Sequence, residues 1–531
     1  MDDLEQTRAL MAVTPGWQVQ AEAAGLDDAT VTAILSEAAK FAEGVLAPLN
    51  PVADRTGCRL QDGRVATPPG YAGAWLRLGQ DGWLSMDLAE GAGGQGLPLT
   101  LHAAAAPFFE GAAMAFMMLA GSTRAAAHLL TQTGGAVAAE WVPRLASGDW
   151  TATICISEPD AGSDVGRIRT RAEEVEGGWR ITGSKIWISF GDHDMADRIG
   201  HLLLARTGPA SAGTRGLSLF LVPDRTDSGA RNGITVTRIE EKMGLHGSPT
   251  CALSFAGSEG ILLGEAGRGL PQLFRMIELM RLQTACQGLG IAQRALAIAR
   301  SYASERLQGG PPDAPPVPLG SHPDVRRQLL AIAAPTAVLR ALVLELSTLM
   351  DGDEGLAGYL LPLAKNFGAE TGFQAASGAM QVLGGAGYTR EWPVEQLLRD
   401  ARVIAIYEGT TGMQAQDFLI RRLIRDGGQT LGRFLDRARA GVAACRDEAA
   451  RDTATAVLDR FDALSRDLLA GAASPELAAD GYLRAGWLAV TAWLACRLIE
   501  AGSEREGRFA LHDLSERMAG AEALCHLPAW V

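Results

Sequence analysis

The sequence predicts an α+β protein with an N-terminal helical domain (1–150), a middle β-barrel or β-sandwich domain (151–265) and a C-terminal helical bundle (266–425), followed by an extra helical tail (426–531). Three observations carry this prediction. The 531 residues exceed the ~100–200 that one compact core usually holds. Short β-branched runs bounded by Gly, Pro and Asp occupy only the middle of the chain. Helical periodicity fills both sides of them.

Residues 27–150 are rich in Ala, Leu, Glu and Met, and the run AILSEAAKFAEGVLAPL puts Ile34, Ala38, Phe41 and Val45 on one helix face. The texture changes at Trp150. From there TATICISEP, GWRITGSKIWIS, HLLLARTG, GLSLFLVP, GITVTRIE and CALSFAG read as strands. After LGEAGRGL the helical period returns, with Pro271 in a first turn, and runs on through SYASERL. The segment GGPPDAPPVPLG (309–320) cannot continue a helix, because proline removes backbone donors, so it is expected as a surface loop. Residues 426–531 contain 12 Arg, no Lys and 16 Asp plus Glu, a net of −4, again with helical composition. No short internal repeat is visible, which argues against a solenoid.

Hydrophobic residues make up 47% and charged residues 21% of the chain, ordinary values for a globular protein that argue against disorder. The net charge of −13 opposes nucleic acid, whose phosphates are bound mainly through Lys and Arg. Cys58, Cys155, Cys251, Cys286, Cys445, Cys496 and Cys525 are widely spaced with no CxxC pair, so neither a disulfide framework nor a metal site is expected. The start of the chain lacks the basic and apolar regions of a signal peptide, which points to the cytoplasm. A membrane span is not expected either: Glu110 interrupts the apolar stretch at 103–120, and Arg484 and Arg497 bracket a run of twelve residues, short of the ~20 needed.

One motif is set aside. Gly91-Ala92-Gly93-Gly94-Gln95-Gly96 fits the dinucleotide pattern letter for letter, but Pro98 follows at once and no strand precedes it. It reads as a Gly-rich connection between helices.

Four segments carry chemistry. Ile154-Cys155-Ile156-Ser157-Glu158-Pro159-Asp160-Ala161-Gly162-Ser163-Asp164 reads as a strand ending in a turn whose amides and hydroxyls can meet a ring or a phosphate. In Gly183-Ser184-Lys185-Ile186-Trp187-Ile188-Ser189, the strand period puts Trp187 and Ser189 on one face. Met276-Ile277-Glu278-Leu279-Met280-Arg281 is followed by Arg306, 25 residues beyond Arg281 on the same predicted helix, and the planar guanidinium suits a pyrophosphate. Last, Gln381-Val382-Leu383-Gly384-Gly385-Ala386-Gly387-Tyr388 leads through Pro393-Val394-Glu395 and Leu398-Arg399-Asp400 to Ile406-Tyr407-Glu408-Gly409-Thr410. Singly, these are a polar turn, a core tryptophan, surface arginines and a helix cap.

In this order, over roughly residues 30–425, the four segments resemble the acyl-CoA dehydrogenase family. The resemblance implies an FAD cofactor met by Ile156, Ser157, Gly162, Ser163, Trp187, Ser189 and Thr410. By the same resemblance Arg306, Gln381, Gly384 and Gly385 serve an FAD shared with a neighbouring subunit, hence a homodimer or dimer of dimers. Glu408 is implied as the base that takes the α-proton of an acyl-CoA, facing the flavin across the thioester, with Ser163, Arg281 and Gly409 at the substrate. The backbone N–H of Glu408 and a ribityl hydroxyl would then stabilise the thioester carbonyl. Some members keep their base on the long helix, where this chain has Met280, and the usual aromatic after Arg306 is replaced by Leu307-Gln308-Gly309.

The tail, together with ILSEAAKFAEGVLAPLN, GQGLP and GTTGMQAQDFL, looks like the 3-methylmercaptopropionyl-CoA dehydrogenase branch, implying a short thioether acyl-CoA and an electron-transfer flavoprotein as acceptor. Two alternatives are an alkylation-response DNA-binding flavoprotein, which needs a basic tail, and an acyl-CoA oxidase.

Overall fold

The computed structural model describes residues 1–528. Helices α1 (Asp3–Val13), α2 (Trp17–Ala23) and α3 (Asp28–Phe41) open the chain. Then come α4 (Asn50–Thr56), strands β1 (Arg59–Gln61) and β2 (Arg64–Ala66), and helices α5 (Tyr71–Gln80), α6 (Leu99–Thr133) and α7 (Gly135–Ser147). Seven strands follow: β3 (Trp150–Cys155), β4 (Arg171–Val175), β5 (Gly178–Ser189), β6 (Arg198–Arg206), β7 (Leu217–Pro223), β8 (Ile234–Ile239) and β9 (Thr250–Leu263). Helices return with α8 (Gly269–Glu305), α9 (Pro323–Met350), α10 (Glu354–Leu383), α11 (Val394–Ala401) and α12 (Thr411–Gln416). The chain finishes with α13 (Gln429–Ala443), α14 (Glu448–Leu469), α15 (Pro475–Glu500), α16 (Glu504–Leu511) and α17 (Leu514–Cys525). Two compact units result, Met1–Ala39 with Pro98–Gly111 and Arg281–Val531, and Lys40–Leu97 with Ala112–Met280.

The second unit holds all the strands. β6, β4, β5, β9 and β7 pair in that order and β7 pairs back onto β6, so the sheet closes into a barrel, with β3 parallel to β6 and β8 antiparallel to β9 outside the ring. Every residue of β7 is buried, as are eight of the nine in β6, which explains the mainly apolar runs HLLLA and LSLFLV. Leu203, Ala205, Phe220, Val222, Ile181 and Phe255 fill the interior.

Two features here differ from the sequence reading. The predicted helical region contains the β1–β2 hairpin, turned by Asp62 (φ 50°) and Gly63 (φ 74°), a pair whose left-handed conformations suit the twist of a two-residue hairpin. Of the predicted stripe, Ala38 and Phe41 are buried but Ile34 is only partly so, the helix burying Val31 and Leu35 instead; after Phe41 it widens into a π-turn over Ala42–Leu46, so that Leu46 is buried where Val45 was expected. The Gly91–Gly96 segment begins in a short 3₁₀ turn (Glu90–Ala92), not between a strand and a helix.

The first unit is helical, and its tail is not a loose appendage. Phe367 of α10 stacks on Trp487 of α15 with centroids 4.7 Å apart, and Phe418 stacks on Tyr482 at 5.0 Å. Glu345 of α9 is fully buried and paired with Arg497 of α15 at 2.7 Å and with Arg437 of α13. At Gly288 and Gly368 the α8 and α10 backbones approach so closely that a Cβ on Gly288 would lie 1.9 Å from the Gly368 oxygen. Helix α8 stops at Glu305, so Arg306 lies just beyond it instead of on it; residues 309–320 form an exposed loop whose ends meet at Leu307 and Pro318.

Among the described residues two helices reach the length and hydropathy of a membrane span, Leu99–Thr133 and Pro323–Met350, the second not expected from the sequence. Their most apolar windows are 94% and 78% buried within the protein, as the central helices of a packed core are.

Candidate active site

In the barrel unit, the turn after β3 is fixed by one buried ion pair. Lys185 Nζ donates to Glu158 Oε1 at 2.9 Å and to the Ile156 carbonyl at 2.9 Å, while the Glu158 carboxylate also accepts from the Arg169 and Thr170 amides. Burial alone would raise the Glu158 pKa, but Lys185 and these donors hold it below the usual carboxylate value. The Ile186 amide donates to Ser157 O at 2.9 Å. Ile156 and Ser157 are thereby held against β5, partly exposed, and Gly162 and Ser163 are exposed at the far side of the turn.

At this point β5 carries a bulge. Lys185 pairs with Leu253 and Ile188 with Cys251, which leaves one extra residue on β5, and Trp187 takes φ 63°. Strict alternation from buried Ile181 and Lys185 would turn Trp187 and Ser189 inward. The extra residue shifts the parity so that Ile188 is buried, Trp187 is 57% exposed and Ser189 is partly exposed. A tryptophan held open on a left-handed backbone is unusual for core packing and suits a planar aromatic ligand.

In the helical unit, the loop between α11 and α12 presents Glu408 at φ 54°, followed by Gly409 at φ 91°. A left-handed glutamate is strained and must be held by its surroundings. Lys365 of α10 donates to Ile404 O at 3.0 Å and Gly409 O at 2.7 Å, and Gln414 of α12 donates to Glu408 O at 3.1 Å and Gly409 O at 3.3 Å. Burial raises the Glu408 carboxyl above its ordinary pKa, and Arg281 and Lys365 partly oppose this. Arg281 in turn donates to Asp417 Oδ2 at 3.0 Å, where the backbone enters a π-turn.

A buried polar chain runs from the same loop. Tyr407 donates to Gln287 of α8, and Gln287 and Gln283 both face the carboxyl of Glu110. Burial lifts the Glu110 pKa well above the usual carboxylate range, against the hydrogen bonds from Gln283 and Gln287.

The remaining sequence candidates lie on exposed backbone. Arg306 reaches Gln308 Oε1 at 3.5 Å. Gln381 is in the last turn of α10, Gly384 (φ 62°) ends that helix, and Gly385 follows. Thr410 is the exposed residue before α12. Sequence reading missed Lys365, Gln414 and the roles of Lys185 and Glu110. The available signal for Lys365 was a lone cation inside the apolar run LLPLAKNF, where helical periodicity calls for a core residue.

Comparison with known proteins gives matches to the N-terminal (28–149), middle (153–258) and C-terminal (267–423) domains of acyl-CoA dehydrogenases. The chain is 39% identical to a 3-methylmercaptopropionyl-CoA dehydrogenase from Ruegeria pomeroyi over 432 residues, covering 77% of this chain and 73% of that one. It is 34% identical to the broad-specificity linear acyl-CoA dehydrogenase FadE5 of Mycobacterium tuberculosis over 443 residues, covering 77% and 72%. The fold matches Caenorhabditis elegans ACDH-11, solved with C11-CoA, at a TM-score of 0.77 and 21% identity, covering 99% of this chain and 91% of that one, so the helical tail belongs to the shared fold.

Proposed function

Because the chain belongs to the acyl-CoA dehydrogenase family, FAD-dependent oxidoreductases that dehydrogenate acyl-CoA thioesters, we propose that Glu408 is the base that removes the α-proton. The observation that carries this is the Glu408 carboxyl itself, raised in pKa by burial and set on a strained backbone between Arg281 and Lys365. A general base works best when its pKa approaches the working pH, and burial moves Glu408 that way. Met280, at the alternative base position, cannot accept a proton.

Ile156, Ser157, Gly162, Ser163, Trp187 and Ser189 would hold the flavin, with Thr410, Arg306, Gln381, Gly384 and Gly385 completing its contacts. Bound FAD supplies the acceptor for the β-hydride. Glu408 takes the α-proton, its backbone N–H donates to the thioester carbonyl, and Arg281, Ser163 and Gly409 lie at the substrate. The exposure of Arg306, Gln381, Gly384 and Gly385 supports an FAD shared across a homodimer or dimer of dimers; FAD retained in full by a monomer in sedimentation would contradict it.

The favoured substrate is a short thioether acyl-CoA, supported by the identity to the Ruegeria enzyme, with electron-transfer flavoprotein as acceptor in the cytoplasm. A preference for chains beyond about ten carbons in an anaerobic acyl-CoA panel would remove the substrate assignment alone. Slow reoxidation on admitting air separates a dehydrogenase from an oxidase. The DNA-binding alternative is disfavoured because tail arginines including Arg433, Arg437, Arg439, Arg460 and Arg497 are engaged by carboxylates.

The test is Glu408→Gln. The variant should fold and remain yellow, while flavin reduction by acyl-CoA falls on the order of 10²–10⁴-fold and α-hydrogen exchange with deuterated water disappears. Reduction at the wild-type rate would show that Glu408 is not the base.

A further inference from the structure

Lysine is rarely buried without a carboxylate directly bonded to it, yet Lys365 is fully buried and both of its hydrogen bonds go to backbone carbonyls. Those carbonyls, Ile404 O and Gly409 O, stand at the two ends of the segment that carries Glu408. One ammonium therefore spans the loop as a clasp. Gln414 binds the Glu408 and Gly409 carbonyls, so the backbone around the strained residue is held by two side chains, of which only Lys365 carries charge. The charged groups facing Lys365 are Glu408 and Arg281. Arg281 has Asp417 as its own partner at 3.0 Å, which leaves Glu408 as the carboxylate whose field balances Lys365. The groups that in turn face Glu408 are Arg281, Lys365 and Tyr407.

We propose that Lys365 is the positioning residue of the base: it closes the 404–409 loop so that Glu408 keeps its left-handed conformation, and its positive charge sets how strongly Glu408 holds a proton. This rests on the assignment of Glu408 as the base. Two effects follow. Without the charge, Glu408 loses a cation that opposes the effect of burial, so its pKa rises further and the acid limb of the reaction moves to higher pH. Burial and Arg281 lower the Lys365 pKa to about 8 against the opposing pull of Glu408, so the clasp itself loses its proton at the upper edge of the working range. The wild-type rate should therefore decline through an alkaline limb near that pH.

The experiment is anaerobic flavin reduction by a saturating acyl-CoA across the pH range, on the FAD-loaded wild type, Lys365→Met, Lys365→Gln and Glu408→Gln. Gln at 365 can still donate to one carbonyl and serves if the Met variant does not fold. The expected result is a fall of about 10²-fold for the neutral variants, the effect of roughly 1 Å of misplacement, with the acid limb moved up and the alkaline limb gone. Lys365 variants with wild-type limbs and rates within about twofold, beside an inactive Glu408→Gln, would overturn the role of Lys365 and leave the base intact. An active Glu408→Gln would instead remove the base. If neither Lys365 variant folds, the wild type decides: a rate that stays flat above pH 9 overturns the proposal, and a limb near 8 sustains it.

Discussion

Replacing Gly288 by alanine tests how tightly α8 and α10 are packed against each other. The new Cβ would stand 1.9 Å from the Gly368 oxygen and 2.3 Å from its carbonyl carbon, against an ordinary contact beginning at 3.4 Å. Both colliding groups are backbone, so no rotamer relieves the clash, and α8 and α10 must separate locally by about 1.5 Å. Overpacking of this kind costs ~1–3 kcal/mol, and the backbone collision puts Gly288→Ala at the upper end. The displacement also reaches the loop, since Gln287 adjoins Gly288 on α8 and Lys365 lies one turn before Gly368 on α10. A shift near 1 Å at such a site lowers a rate by about 10²-fold. Gly432 of α13 supplies the control, because its Cβ would meet nothing within 4 Å. There the same substitution should stabilise the helix by ~0.5–1 kcal/mol. Denaturant titration of the FAD-loaded proteins measures the first quantity and stopped-flow flavin reduction the second. A Gly288→Ala protein matching Gly432→Ala in both would refute the close-approach argument.

Glu345→Gln should cost ~3–5 kcal/mol in denaturant, because it leaves Arg497 buried without its counter-charge; a midpoint within error of wild type would show that the Arg437–Glu345–Arg497 set contributes nothing. Glu110→Gln copies the protonated acid and should retain activity, but its stability relative to wild type depends on pH. The folded protein holds a proton on Glu110 that the unfolded chain releases above the ordinary carboxylate range, so wild-type stability falls by about 1.4 kcal/mol per pH unit until the raised pKa is passed. The advantage of Glu110→Gln should accordingly grow as pH rises above the ordinary carboxylate range, and a difference independent of pH would mean that Glu110 is ionised in the fold.

What the sequence made legible follows from the range over which each signal acts. The barrel strands were readable because β6 and β7 are buried on both faces and are largely apolar, with only His201 and Ser218 as polar residues inside the runs. Glu408, Arg281 and Trp187 could be singled out as candidates because each sits in a run of consecutive residues with a distinctive pattern. Lys365 could not be, because its partners Ile404 and Gly409 are 39 and 44 positions away and are backbone atoms, which any residue type supplies. The period-two pairing of Trp187 with Ser189 holds, since both lie open around buried Ile188, but the bulge before them reverses their parity relative to Ile181 and Lys185. The Asp62-Gly63 hairpin was a readable signal that the surrounding helical texture concealed. Glu110 was noticed only as an interruption of an apolar helix, and its pairing with Gln283 lies 173 positions along the chain.

The stacking of α15 on α10 also sets a timetable for synthesis. Trp487 covers Phe367, Tyr482 covers Phe418, and Gly486 permits the approach, since a Cβ there would lie 2.5 Å from the Phe418 ring. Ribosomes add ~5–20 residues per second, so about 4–16 s pass between the emergence of Glu408 and that of Trp487. Until α15 is made, Phe367 and Phe418 lack the rings that stack on them. A ribosome stalled between these two positions would hold a chain in which Glu408 is already translated but Trp487 of α15 is not.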